Sequence, residues 1–218
     1  MFSIIIPTMW RGSEIQHEFP KIVNCNYINE IIVINNDFNS TPEWFKQIQS
    51  EKIISIVPFK NIFVNPAWNI GVKISKNSNV ILFQDDIRFD NYDFLQIIEE
   101  DINQFQSLIG CSEDCYKISE NKFFELKNMG EFRNYGFGCL MAFNKKYYKD
   151  IPKDFKLWKG DDFLIEKFKH INHPIKVMSG IKIYGKISQT IDGSSEFDFK
   201  YQEGNLNFNS YLTEYLND

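Results

Sequence analysis

Two pairs of adjacent carboxylates stand where this chain could do chemistry, Asp85-Asp86 and Asp161-Asp162. The first follows Val80-Ile81-Leu82-Phe83-Gln84, an apolar run that is too short for a helix and is preceded by the turn-like Lys76-Asn77-Ser78-Asn79. Such a run reads as a strand buried on both faces. Its carboxyl end is the edge at which open α/β sheets bind ligands. Neighbouring carboxylates repel, so a site that keeps both ionised supplies a cation. Oxygen ligands of this kind suit Mg²⁺ or Mn²⁺ held with substrate phosphates. A solvated acidic turn is the ordinary alternative. The second pair, in Gly160-Asp161-Asp162-Phe163-Leu164-Ile165, reads as a helix start running towards His170. There Asp161 is a natural cap and Asp162 a first-turn acid favoured by the helix dipole.

The elements that must position these pairs follow in order. Ser3-Ile4-Ile5-Ile6 is a buried strand ended by Pro7-Thr8. Ser13 and Gln16 have capping-box spacing and open a helix towards Val23, which Pro20 should kink or end. Glu30–Ile34 is a second strand, followed by the polar run from Asn35 to Ser40. Thr41-Pro42 predicts a short helix through Trp44 and Ile48, and Ile53–Val57 a third strand. Asn65-Pro66 predicts a helix with Ala67, Ile70 and Ile74 on one face. Strands alternating with helices argue for a parallel, Rossmann-like α/β sheet with right-handed crossovers. Neither a Gly-x-Gly-x-x-Gly nor a Gly-Lys-Ser/Thr phosphate loop follows the first strand.

The second half is less regular. Tyr92 to Phe105 has helical periodicity, whereas residues 111–134 resist assignment. Tyr135–Phe143 reads as a strand with Gly136 and Gly138 near its start, where glycine permits close approach. Ile175–Val177 and Ile181–Tyr184 are late strands. A polar turn at Asp192–Ser195 precedes a terminal helix with Phe208, Leu212 and Tyr215 on one face. No repeat or linker divides the chain, so residues 1–218 read as one domain. Its regular half is about 1–90, its less regular half about 91–190, and 191–218 are a C-terminal extension.

Bulk properties exclude several classes. The 218 residues are 43% hydrophobic and 16% aromatic, enough for a sizeable core. A net charge of −5 and a pI near 5.3 argue against nucleic-acid binding. No run approaches the ~20 apolar residues of a membrane span, and Met1–Pro7 does not read as a signal peptide. Cys25, Cys111, Cys115 and Cys139 are scattered, so they read as reduced thiols in a cytoplasmic protein. Cys111-x-x-x-Cys115 lacks the second pair that a structural zinc needs.

Taken in order, the motifs resemble those of the family-2-like inverting glycosyltransferases of the GT-A fold. Ser3–Thr8 is similar to the family's opening strand, and Glu30–Asn36 stands where a strand ends in Asp-Asp. Asn65-Pro66-Ala67-Trp68-Asn69-Ile70-Gly71 resembles the Ala-Arg-Asn-x-Gly helix. Phe83–Asp86 lies at the Asp-x-Asp metal motif and Trp158–Asp162 at the Trp-x-Gly-Glu-Asp acceptor motif. The departures are Asn35 and Asn36 in place of carboxylates, Trp68 in place of arginine and Gln84 in place of the first metal-motif acid. No late histidine marks a third metal ligand, since Tyr184-Gly185-Lys186 stands there, and His170 and His173 come early.

The resemblance implies a transfer from a UDP-sugar to an acceptor hydroxyl, assisted by Mn²⁺ or Mg²⁺. It implies Asp86 as metal ligand, with Asp85 a second metal or ribose contact. Pro7, Thr8, Asn35, Asn36, Asn65 and Asn69 would meet the donor nucleotide, and Gly136 and Gly138 would leave room for its sugar. Asp162 would be the base, with Asp161 and Trp158 on the acceptor. Taken singly, these residues have plainer explanations: turn-forming asparagines, helix-capping acids, a packing tryptophan and surface or hydrogen-bonded histidines. Two other readings stay open, a catalytically silent nucleotide-sugar-binding module and a sugar-phosphate nucleotidyltransferase. The latter would need a Gly-rich basic loop, and only Arg11-Gly12 is available. The terminal helix is expected to cover the acceptor groove or to form a homodimer contact.

Overall fold

A computed structural model describes residues 1–131, 135–185 and 208–214. In chain order the elements are β1 (Phe2–Thr8), α1 (Glu14–Asn24), β2 (Ile28–Asn35), α2 (Glu43–Lys46), β3 (Ile53–Ile56), α3 (Val64–Ile74), β4 (Asn79–Phe83) and β5 (Ile87–Arg88). They continue with α4 (Leu95–Phe105), β6 (Leu108–Gly110), α5 (Asp114–Lys117), β7 (Glu125–Asn128), β8 (Leu140–Asn144), α6 (Gly160–His170), β9 (Ile175–Ser179) and β10 (Tyr184–Gly185). An eight-stranded sheet has the order β3-β2-β1-β4-β8-β6-β9-β7. Strands β3, β2, β1 and β4 are parallel, while β8 is antiparallel to both β4 and β6.

The sheet is the middle of three layers, and residue alternation shows why. Ile4 and Ile6 of β1 face one apolar cluster, Ile5 the other. Ile31 and Val33 oppose Ile32 and Ile34 in the same way, as Ile81 and Phe83 oppose Val80 and Leu82. The first cluster is covered by α1 and α4, the second by α3 and α6. A strand covered on both sides has no polar face to show, so its sequence is a continuous apolar run.

Several elements depart from the sequence reading. Helix α1 continues through Pro20, and the Ser13 side chain makes no cap bond. The N-cap of α2 is Pro42 itself, not Thr41. Helix α3 buries Ala67, Trp68, Gly71 and Val72, while Ile70 and Ile74 are exposed. The cause is Gly71, where an added Cβ would lie 2.3 Å from the Ile5 side chain. That close approach turns the Gly71 side of the helix onto the sheet. Phe137–Cys139 is a 3₁₀ turn rather than strand, so β8 begins at Leu140. Of the strand expected over 181–184, only Tyr184-Gly185 pairs, antiparallel to Ile87-Arg88. Residues 208–214 are helical, with Phe208 and Leu212 half-buried. The turn at Asp192–Ser195 and Tyr215 lie outside the described residues.

Among the described residues no helix is long and apolar enough to cross a membrane. All four cysteines are free and buried.

Candidate active site

Strand β1 delivers Thr8, buried at its carboxyl end, and β4 delivers the loop that begins at Gln84. The two strands are parallel neighbours, so their ends meet. The Thr8 hydroxyl donates to Asp85 Oδ2 at 2.6 Å, and Thr8 Oγ1 accepts the Trp10 N–H at 2.9 Å. Withdrawal from water pushes the half-buried Asp85 carboxyl up to about 6; the Thr8 bond offsets part of this and the Asp86 charge adds to it. Asp86 is buried. Its backbone carbonyl lies 2.1 Å from where a Cβ on Gly185 would fall, so β10 closes tightly over this loop.

The strip continues onto β8. Gln84 N–H donates to Cys139 carbonyl oxygen at 3.0 Å, and Cys139 Sγ donates to Gln84 Oε1 at 3.4 Å. A Cβ on Gly138 would lie 2.9 Å from Asp161 Oδ2. The glycine thus admits the first turn of α6, where Asp161 Oδ1 accepts the Asp162 N–H at 3.0 Å. Lys159 Nζ pairs with Asp162 Oδ2 at 3.1 Å. Trp158 is half-buried at the same turn. Four motifs far apart in sequence, at 7–8, 84–86, 136–139 and 158–162, therefore lie side by side along one sheet edge.

The remaining predicted site residues are placed differently. Asn35 Nδ2 donates to Ser40 carbonyl oxygen at 2.8 Å and Thr41 Oγ1 at 3.1 Å, while its Oδ1 accepts the Asp37 N–H. Asn36 brackets the next loop, donating to Phe63 carbonyl oxygen at 3.3 Å and accepting the Ile62 N–H at 3.2 Å. These side chains shape the loops at the carboxyl end of β2. Asn65 is fully buried and donates to the carbonyls of Phe155 at 2.7 Å and Trp158 at 3.0 Å. Asn69 binds Ile151 through both its amide and its oxygen and accepts the Tyr148 hydroxyl at 2.5 Å. Both tie α3 to the segment 148–158. Gly136 and Gly138 are positions of close approach by other side chains. A Cβ on Gly136 would meet the Tyr116 ring, and one on Gly138 the Asp161 carboxylate.

Two residues were missed. Lys159 sits inside a motif whose expected roles fall on Trp158, Asp161 and Asp162, and its i,i+3 spacing to Asp162 is the available signal. Tyr116 packs on Gly136, its phenol pushed far above the usual value by burial and by nearby Cys111, Cys139 and Asp86. It came from the unassigned 111–134 stretch and had no signal. His173 packs on Tyr147 with ring centroids 4.2 Å apart.

Among the described residues no group of three or more His, Cys, Asp or Glu gathers as a metal cage. The Asp85–Asp86 loop nonetheless fits a divalent cation of the kind bound by one or two carboxylates together with substrate phosphates. The observation is the donor set, two adjacent carboxylates, half-buried Asp85 and buried Asp86, in the loop directly after β4.

An open sheet whose parallel half ends in this loop, and whose mixed half carries the 158–162 turn to it, is the GT-A fold. No family model matches the chain, and no curated protein matches it. Solved structures do. S. aureus TarS 1-349 in complex with UDP-GlcNAc is 15% identical with a TM-score of 0.63, covering 94% of this chain and 64% of that one. GalNAc-T7 with UDP, GalNAc and Mn²⁺ is 11% identical with a TM-score of 0.63, covering 97% and 49%. A second S. aureus TarS structure is 14% identical with a TM-score of 0.61, covering 97% and 43%. The chain thus spans 43% to 64% of the length of these three structures.

Proposed function

We propose that this protein is an inverting glycosyltransferase, moving a sugar from a nucleoside-diphosphate sugar, UDP favoured, to an acceptor hydroxyl. The observation that carries the reading is the contiguity of Thr8, Asp85, Asp86, Gly138, Asp161 and Asp162 along one sheet edge. Likeness in fold to TarS solved with UDP-GlcNAc, and to GalNAc-T7 solved with UDP and Mn²⁺, supports the donor class.

On this reading Pro7 and Thr8 form the floor under the nucleotide, and Asn35 and Asn36 hold the two loops that flank its base. Asp86, with Asp85, would hold Mn²⁺ or Mg²⁺, whose positive charge would offset the negative charge developing on the departing diphosphate. Asp162 takes the acceptor hydroxyl's proton as that oxygen attacks the anomeric carbon opposite the leaving group. A positioned carboxylate contributes ~10²–10⁴-fold. Asp161, fixed against Gly138, and Trp158 orient the acceptor. The protein acts as one domain, and its further partner is a glycan or another hydroxyl compound.

A silent nucleotide-sugar-binding module is the second reading, favoured by Asn35 and Asn36 being spent on loop geometry. One experiment separates the two. Nucleotide-sugars are incubated with the protein and Mn²⁺ or Mg²⁺, with and without chelator, and release of nucleoside diphosphate is followed. The enzyme shows slow, metal-dependent release. Donor binding without release, even with broad acceptor mixtures, would establish the silent module.

A further inference from the structure

Lys159 occupies a position that local folding physics disfavours twice. It is the N-cap of α6 with φ +67° and ψ 3°, a left-handed conformation that glycine adopts freely and that a residue with a Cβ resists. It also places an ammonium at a helix N-terminus, where the dipole favours anions. An ordinary i,i+3 surface pair requires neither. The turn cannot relax by sliding, because Asn65 holds the Trp158 and Phe155 carbonyls and Asn65 N–H donates to Lys156 carbonyl oxygen at 3.0 Å.

The lysine side chain is correspondingly confined. Its Nζ lies 3.1 Å from Asp162 Oδ2 and 5.3 Å from the centre of the Phe208 ring. The paired side chains are only 24% and 22% exposed. Phe208 is in turn seated on buried Phe155, with centroids 5.8 Å apart. Tyr211 meets the same ring at 5.0 Å, and its hydroxyl donates to Asp154. Residues 208–214 thus form a wall beside the ammonium.

We propose that Lys159 is a positioning residue for the Asp162 carboxylate. Its ammonium sets the rotamer and plane of that carboxylate before the acceptor arrives, and the 208–214 segment holds the ammonium against it. This rests on the reading of Asp162 as the base. A loosened catalytic group loses rate rather than donor affinity, since a misplacement near 1 Å costs on the order of 10²-fold.

Four variants of the full chain test it: Lys159→Gly, Lys159→Met, Lys159→Arg and Phe208→Ala. The glycine variant relieves the backbone while deleting the charge, so loss of folding does not cloud the result. Carbodiimide labelling of Asp162, read by peptide mass mapping, needs no substrate. Labelling should accelerate several-fold in Lys159→Gly and Lys159→Met and stay near wild type in Lys159→Arg. With a turned-over nucleotide-sugar, kcat should fall roughly 10- to 100-fold in the first two variants with donor KM within about twofold. Arginine should restore most of it, and Phe208→Ala should fall between. Wild-type labelling and kcat in Lys159→Gly would overturn the assignment. Accelerated labelling in a protein that turns over no donor would keep the ion pair but refute its catalytic role. The base reading would then fall on a separate measurement.

Discussion

The two aspartate pairs share one sheet edge and are built in opposite ways. Asp85 receives a neutral hydroxyl from Thr8 and lies beside Asp86, and its carboxyl is pushed up to about 6. Asp162 stands in the first turn of a helix and meets the Lys159 ammonium. One carboxylate sits where its charge is disfavoured, the other where the protein supplies a counter-ion. The first arrangement suits a group that completes itself with an external cation. The second suits one that works with what the chain provides.

The comparison is tested most severely by exchanging each acid for its amide. Asp162→Asn should lower transfer by ~10²–10⁴-fold while donor binding, measured by calorimetry, is retained. Loss of donor binding would instead put Asp162 on the donor side and break the contrast. Asp86→Asn should lower metal-dependent nucleotide release by about 10²-fold or more and make the residue of activity insensitive to chelator. Continued metal dependence in that variant would move the cation elsewhere.

Asp85→Asn reads the same contrast as stability. The folded Asp85 carboxyl titrates near 6, above the ~3.9 of a free aspartate, so the folded form holds this proton more tightly. Its contribution to stability is complete below about pH 4 and is lost as pH rises through about 6. The metal-free Asn variant should therefore be more stable than wild type at pH 7.5, by about 3 kcal/mol, and nearly equal to it near pH 4. Urea unfolding at the two pH values decides. A variant less stable at pH 7.5 would show that the charge is stabilising. The smallest effect is expected for Gly138→Ala, whose Cβ would lie 2.9 Å from Asp161 Oδ2. Displacing that carboxylate should raise acceptor KM about three- to tenfold. An unchanged KM would remove Asp161 from the acceptor.

The parallel half was legible because β1, β2 and β4 are covered on both faces and cannot hide their apolar runs. The face of α3 was not, because periodicity weighs Ile70 and Ile74 equally with Val72 and cannot see the contact between Gly71 and Ile5. Strand β7 carries Glu125, Lys127 and Asn128 in exposed positions, leaving no pattern to read. Within the site, residue type located the acids and the Trp158–Asp162 turn. It did not distinguish a side chain that meets a ligand from one that ties loops together. Asn35, Asn36, Asn65 and Asn69 all have the chemistry for either task. Only the distances show that their hydrogen bonds go to the protein.

The latch at Asn65 also constrains how this sequence can drift. A Cβ at position 160 would fall 2.2 Å from Asn65 Oδ1, so any side chain there needs a smaller partner on α3. Positions 65 and 160, ninety-five residues apart, should therefore change together or not at all. A covarying pair of this kind would tie the halves of the chain into one evolutionary unit, and N-terminal and C-terminal segments exchanged singly between relatives should fail unless both positions travel with them.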